Sequence, residues 1–237
     1  MDSGSSDDVN DEVSVAVTSR MQDAVRILLL IDGAAEPLPA PICDDAALVG
    51  AVGVVEGQLR LQKLDFWLRS PDFLADELLN EYERSGEVRL LDLAAQILYS
   101  EEPEVRRYPM LRHHFGAYEP LDDALAVLRS VGLVVLRRRG RVGRTSRHDY
   151  YLLARGRKVA RTVVAQAPAF RYYVDRVQLV LDLADGRGGN QLKARQYLQD
   201  EYATAARGTP ISSISARARN RLAQLRVTAA VADGVDA

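Results

Sequence analysis

The stretch from Pro120 to Pro168 constrains the fold more than any other part of the chain. "PLDDALAVLRSVG" has helical spacing: Leu121, Ala124, Leu125, Leu128 and Val131 share one face, and Gly132 supplies a C-cap. "LVVLRRR" then reads as a strand, "GRVGRTSRH" as a turn and "DYYLLA" as a returning strand. "RGRKVARTVVAQA" resumes helical spacing before Pro168. Helix, hairpin, helix is the order of a winged helix, and the arginines fall on the hairpin tip, the wing. The expected fold is mainly α (α+β): a winged-helix core with a β-hairpin wing and a C-terminal helical hairpin.

Charge is distributed unevenly. Arg137 to Arg161 carries a net +9 on a chain of net charge −2. Residues 1–12 carry five acids and no Lys or Arg, so the remainder is at −6. A globally basic nucleic-acid protein does not look like this; any such contact has to be local. Lysines number only three, Lys63, Lys158 and Lys193. That bias suits a high-GC genome and explains arginine over lysine, but not the clustering of six arginines between Arg137 and Arg147.

The rest of the chain reads as helical. Residues 1–16 form an acidic tail with the composition of disorder, without the basic start and apolar centre of a signal peptide. Helical spacing follows from Ser19 to Ile31 (Met21, Val25, Leu28 and Leu29), until "DGAAEPLPAPICDD" breaks it. "GQLRLQKLDFWLRS" aligns Leu61, Leu64 and Leu68. Ser70-Pro71 opens the next helix as N-cap and first helical residue, and Gly86 stops it. "EVRLLDLAAQILYS" is another apolar helix. "FRYYVDRVQLVLDLAD" places Val174, Val177, Leu181 and Ala184 on a stripe, and "QLKARQYLQDEYATAA" does so for Ala194, Tyr197, Leu198, Tyr202 and Ala205. With "GRGGN" as the turn between them, these two predict an antiparallel hairpin. "SSISARARNRLAQLR" reads as a short basic terminal helix. The expected organisation is a tail over 1–16, a helical winged-helix domain over 17–167, a C-terminal hairpin and terminal helix over 168–226, and a frayed end over 227–237. The apolar runs Ile27–Ile31 and Ala46–Val55 are too short to span a bilayer. The single cysteine, Cys43, suits a reducing cytosol, so the expected location is cytoplasmic.

Three segments carry a resemblance. "LRLQKLDFWLRSP" resembles the "RLQKLLFLL" helix of phage-associated winged-helix proteins of the Panacea type. "HHFGAYEPLDDALAVLRSVGLV" resembles their Tyr-Gly-Pro-Tyr segment and the helix after it, with Ala117 where Pro is usual. "YYLLARGRKVA" resembles the "YxLTxxGxxxA" end of many winged helices. The "KLDFWLRSP" wording is also similar to the middle components of ABC-three-component bacterial defence systems. The resemblance spans residues 57–161. The likeness to the ABC-three-component middle components implies a small winged-helix subunit working between an ATPase and an effector.

The wing arginines Arg137, Arg138, Arg139, Arg141, Arg144 and Arg147 are the candidate nucleic-acid contacts, because guanidiniums on a hairpin reach phosphates without disturbing a core. A solvated loop and an acidic protein surface, the chain's own tail included, are the competing readings. Asp122 and Asp123 sit where a recognition helix presents its N-terminus, which argues against base reading. Val177, Leu181, Leu198 and Tyr202 are the candidate partner-docking seam. Asp76, Glu77, Glu81 and Glu83 read as a solvated face, Trp67 as a core anchor beside Phe66 and Phe73, and Tyr172-Tyr173 as packing. No catalytic or metal set and no cofactor is expected: His113-His114 lacks partners at ligand spacing, and "GRGGN" has no GK[ST] after it. Nor is a small-molecule substrate evident. The expected function is a non-catalytic, DNA-contacting subunit or adaptor with partner proteins or a homodimer. The alternatives are an autonomous dimeric transcription regulator and an antitoxin-like or scaffold protein that binds only proteins.

Overall fold

The computed structural model describes residues 20–100, 111–113, 116–118, 121–141, 144–206, 208–209 and 211–235. The 1–16 tail lies outside them. The chain is mainly helical with a small antiparallel sheet. Helix α1 (Arg20–Ala34) leads to strand β1 (Ala51–Glu56) and helices α2 (Gln58–Arg69), α3 (Pro71–Ser85) and α4 (Arg89–Tyr99). A two-stranded ribbon, β2 (Leu111–His113) with β3 (Gly116–Tyr118), precedes α5 (Asp122–Ser130). Strands β4 (Val134–Arg141) and β5 (Arg144–Leu153) form the hairpin, and α6 (Ala154–Gln166) follows directly. The chain closes with α7 (Arg171–Ala184), α8 (Gly189–Gln196), α9 (Asp200–Thr204) and α10 (Ser215–Val235).

Helix α2 is the centre of the molecule. From Leu61 to Arg69 every residue is buried, because α1, α3, α7, α8 and the sheet all pack around it. Leu61, Leu64 and Leu68 form the expected apolar row, and Phe66 stacks edge-on to Phe73 at 5.1 Å beside buried Trp67. A helix buried all round has to bury polar residues too, and Lys63 and Asp65 are hydrogen-bonded where they are buried. Asp65 holds Arg26 of α1 at 2.9 Å, and Lys63 donates to the Tyr202 hydroxyl at 2.7 Å. Pro71 opens α3 at its first position, although Ser70 makes no side-chain cap. Gly86 and Gly132 take the left-handed conformation that ends α3 and α5 (φ 73° and 66°).

The sheet order is β1-β5-β4. Strand β1 is absent from the sequence reading, where "AVGVVE" counts only as an apolar run. Its partner β5 lies almost a hundred residues later, with Ala51 opposite Leu153 and Glu56 opposite Asp149. The hairpin arms are also longer than expected. Pairing continues to Arg141 opposite Arg144, so most of "GRVGRTSRH" is strand rather than turn.

The C-terminal third departs most from expectation. Helix α7 lies on α1 and α2, and α8 lies on α2, so both are layers on the common core rather than a hairpin with its own seam. One apolar cluster runs from Ala24 to Leu222, and residue 167 is no break in it. Gly189 allows the contact: a Cβ there would sit 2.6 Å from the Arg60 nitrogen at the start of α2. Where a frayed end is expected from residue 227, α10 continues to Val235. No helix among the described residues is long and apolar enough to cross a membrane.

Candidate nucleic-acid interface

The hairpin divides at Asp149. Towards its base, β5 pairs with both β1 and β4; beyond Asp149 it pairs with β4 alone. The outer part is therefore a two-stranded ribbon extending past the end of β1. Arg138, Arg139, Arg141, Arg144 and Arg147 lie on this ribbon, and Arg137 lies at its root opposite Asp149. The six arginines share the hairpin but not one role.

Three of them are held by an acid collar around the root. Arg137 grips Asp45 with two hydrogen bonds, from Nε and Nη2, each 2.6 Å. Asp45 is itself fixed, because it caps the single turn Ala46–Leu48 by accepting from the Ala47 N–H. Arg147 donates to Glu56 at 2.7 Å and to Asp149 at 3.0 Å. Arg139 donates to the Tyr151 hydroxyl at 2.6 Å and lies 3.5 Å from Asp149. Asp149, the one acid of the basic stretch, is buried, and Arg139 and Arg147 flank it. Arg138 and Arg141 are exposed and carry no ion pair among the described residues. The side chain of Arg144 lies outside the described set.

The hydrogen bonds from Arg137 hold the Asp45 carboxyl below its ordinary range. A carboxylate depressed in the folded state contributes stability above its unfolded pKa of about 3.9, and that contribution is lost as pH falls through the folded value. The hairpin root is thus expected to stay closed at neutral pH and to loosen only in acid. Amide exchange of Arg137 and Ala47 should stay slow down to pH 4; fast exchange at pH 6 would refute this. The shifts of Arg137 and Arg147 run upward, caused first by hydrogen bonds to Asp45 and Asp149, so both remain charged.

Helix α5 presents acids, not cations, at its N-terminus. Its buried side is Leu121, Ala124, Leu125 and Leu128, as its spacing predicts, although Val131 is exposed. Asp122 and Asp123 are exposed at its N-terminus, and Asp123 pairs with Arg20 at 3.4 Å. Arg129 is exposed at the far end.

The expected docking seam is not a surface. Val177 is buried against α1, where Gly33 leaves it room, and Leu181 packs beside it. Tyr202 is fully buried beneath α2. Only Leu198 is exposed, at 77%. Helix α8 ends before Tyr197, so Leu198 and Tyr202 do not belong to one continuous helix and do not share a face.

The acids of α3 are likewise not a solvated face. Asp76 and Glu77 are buried. Arg221 of α10 meets Asp76 at 2.9 Å and Glu83 at 2.7 Å, and Arg195 of α8 meets Glu77 and Glu81. Asp72 accepts from the Ile214 N–H and the Ser213 hydroxyl at 2.7 Å each, just before α10 begins. Burial pushes the Glu77 carboxyl above the usual glutamate range, although Arg195 and Asn80 act against it. The arginines of the terminal helix therefore fasten it to α3, around a charged cleft of about 530 Å³. Tyr172 and Tyr173 meet edge-on at 5.8 Å as packing, and Cys43 is exposed. Among the described residues no three His, Cys, Asp or Glu side chains converge as a metal set. No family model, curated protein or solved structure matches the chain.

Proposed function

We propose that the chain is a non-catalytic winged-helix subunit or adaptor of a multiprotein assembly, working in the cytoplasm, that touches nucleic-acid backbone through the outer part of its hairpin. A winged helix is what the resemblance to Panacea-type proteins implies, and a subunit role is what the likeness to ABC-three-component middle components implies. The strand order supports the winged-helix reading. Strand β1, between α1 and α2, pairs with the returning arm of the hairpin, and α5 precedes that hairpin. The observation that carries the nucleic-acid contact is the exposure of Arg138 and Arg141 beyond a collar that has already neutralised the root. Exposed guanidiniums on a ribbon suit phosphates, which give salt-dependent and sequence-independent affinity. The acids at the start of α5 weigh against an autonomous operator-reading regulator.

The test is affinity for several unrelated duplexes across a salt series. Replacing Arg138, Arg141 and Arg144 together by Glu should weaken all duplexes alike. It should also flatten the log–log salt slope by about 0.9 for each phosphate that is no longer neutralised. Arg147 is left out because a Glu there would face Glu56 and Asp149. Equal affinities for parent and variant at every salt concentration would remove the proposal. They would favour the second reading, a protein-only scaffold, to which the charge neutralisation at the hairpin root gives weight. Loss confined to one sequence would favour a regulator.

A further inference from the structure

On the far side of α1 an apolar groove of about 670 Å³ opens between α1, α6 and α7. Leu29, Ala160, Val164, Pro168 and Val174 line it, and Val174 is 39% exposed although its neighbour Val177 is buried. Its rim is cationic. Arg161 and Arg171 line the opening, and exposed Lys158 lies one turn along α6 from Arg161. Arg155, Lys158 and Arg161 have no ion pair among the described residues, whereas Arg157 is taken by Asp32 at 3.1 Å.

We infer that the occupant of this groove is the chain's own N-terminal segment. Charge complementarity comes first: residues 1–12 carry five acids and no Lys or Arg. Apolar complementarity follows, because "VSVAV" (13–17) joins those acids to α1 with three valines at every second position. Reach and direction agree. Leu29 lies nine residues into α1, about 14 Å along its axis. Seven extended residues before Arg20 span about 23 Å, enough for the valines to lie over the groove. Asp32, near the end of α1, meets Arg157, near the start of α6, so the two helices run antiparallel. A segment turning back along α1 therefore meets Arg161 first and then Lys158. Its sequence meets them in the matching order: valines over the apolar floor, then Glu12, Asp11, Asp8 and Asp7 beside the cations. Tethering raises the effective concentration to the millimolar range, so weak contacts suffice. The consequence is a self-covered face that a partner has to uncover, independent of what the hairpin binds.

Carbodiimide cross-linking of the full chain tests this, because the reagent joins only carboxylates and amines already in contact. The three lysines make the product legible: Lys63 is fully buried and Lys193 lies on α8. An intramolecular bond from Lys158 to Asp7, Asp8, Asp11 or Glu12 is expected by peptide mass mapping. Its yield should fall at least fivefold in 1 M salt. It should fall similarly when Val13, Val15 and Val17 are changed to Ser. A Lys158 that joins none of these acids would overturn the inference. So would bonds that form only between chains and grow with concentration, which would assign the groove to a second copy. An unchanged yield in the Ser variant would remove the groove's part in it.

Discussion

Replacing Asp65 by Ala is expected to cost about 3–5 kcal/mol of folding stability, the usual loss when one partner of a buried ion pair is removed. Asp65 has no solvent exposure, and the guanidiniums it faces belong to Arg26, 3% exposed, and Arg69, 7% exposed. Arginine does not shed its proton to escape such a site. Desolvation already pulls the Arg69 pKa down, with Asp65 as the largest opposing influence. Removing that carboxylate leaves Asp23 as Arg26's remaining ion-pair partner among the described residues, at the joint between α1 and α2. Denaturant melting of parent and variant measures the loss. The double replacement Arg26→Met with Asp65→Leu should recover only part of it, because it removes the desolvation cost of Arg26 and Asp65 together but still leaves buried Arg69 without that carboxylate. An Asp65→Ala variant that melts with its parent would show that α2 is not the enclosed centre described above.

The Asp65 site also marks what a single sequence conceals. Helices with an apolar stripe and a definite stop were legible: Leu61, Leu64 and Leu68 on α2, Gly86 after α3, Gly132 after α5. So was the hairpin, through its valines and tyrosines. What was not legible depends on pairs far apart in the chain. Arg26 and Asp65 are separated by 39 positions, Asp45 and Arg137 by 92, Asp76 and Arg221 by 145. Periodicity assigns a charged residue to solvent, and each of these is charged because its partner is charged. The wing shows the consequence. Six clustered arginines read as one binding surface, yet Arg137, Arg139 and Arg147 hold the hairpin root together, which leaves Arg138 and Arg141 as the described members exposed without a partner. The docking seam failed for a related reason. Helical spacing put Leu198 and Tyr202 together, but the chain leaves the helix between them.

Gly156→Val should destabilise by about 3 kcal/mol, the upper end of what overpacking costs. Glycine is a weak helix former, and on propensity alone Ala in its place would be an improvement. The structure gives the opposite sign. Gly156 is buried in the first turn of α6, where a Cβ would stand 2.4 Å from the Leu133 carbonyl oxygen and 2.9 Å from a Leu152 methyl. The first neighbour is backbone at the start of β4, and its carbonyl already accepts the Leu153 N–H at 3.1 Å, so it has little freedom to retreat. Helix α6 would have to lift from the sheet, straining the Arg157–Asp32 contact and the packing of Ala160. Gly156→Ala should already cost stability, with Val costing more. Gly132→Ala, strained by its positive φ but open around its Cβ, should lose only about 1–2 kcal/mol. Thermal or denaturant melting of the three variants gives the ranking. If Gly156→Ala stabilised the protein, propensity would outweigh the contact, and the close seating of α6 against the base of the hairpin would be wrong.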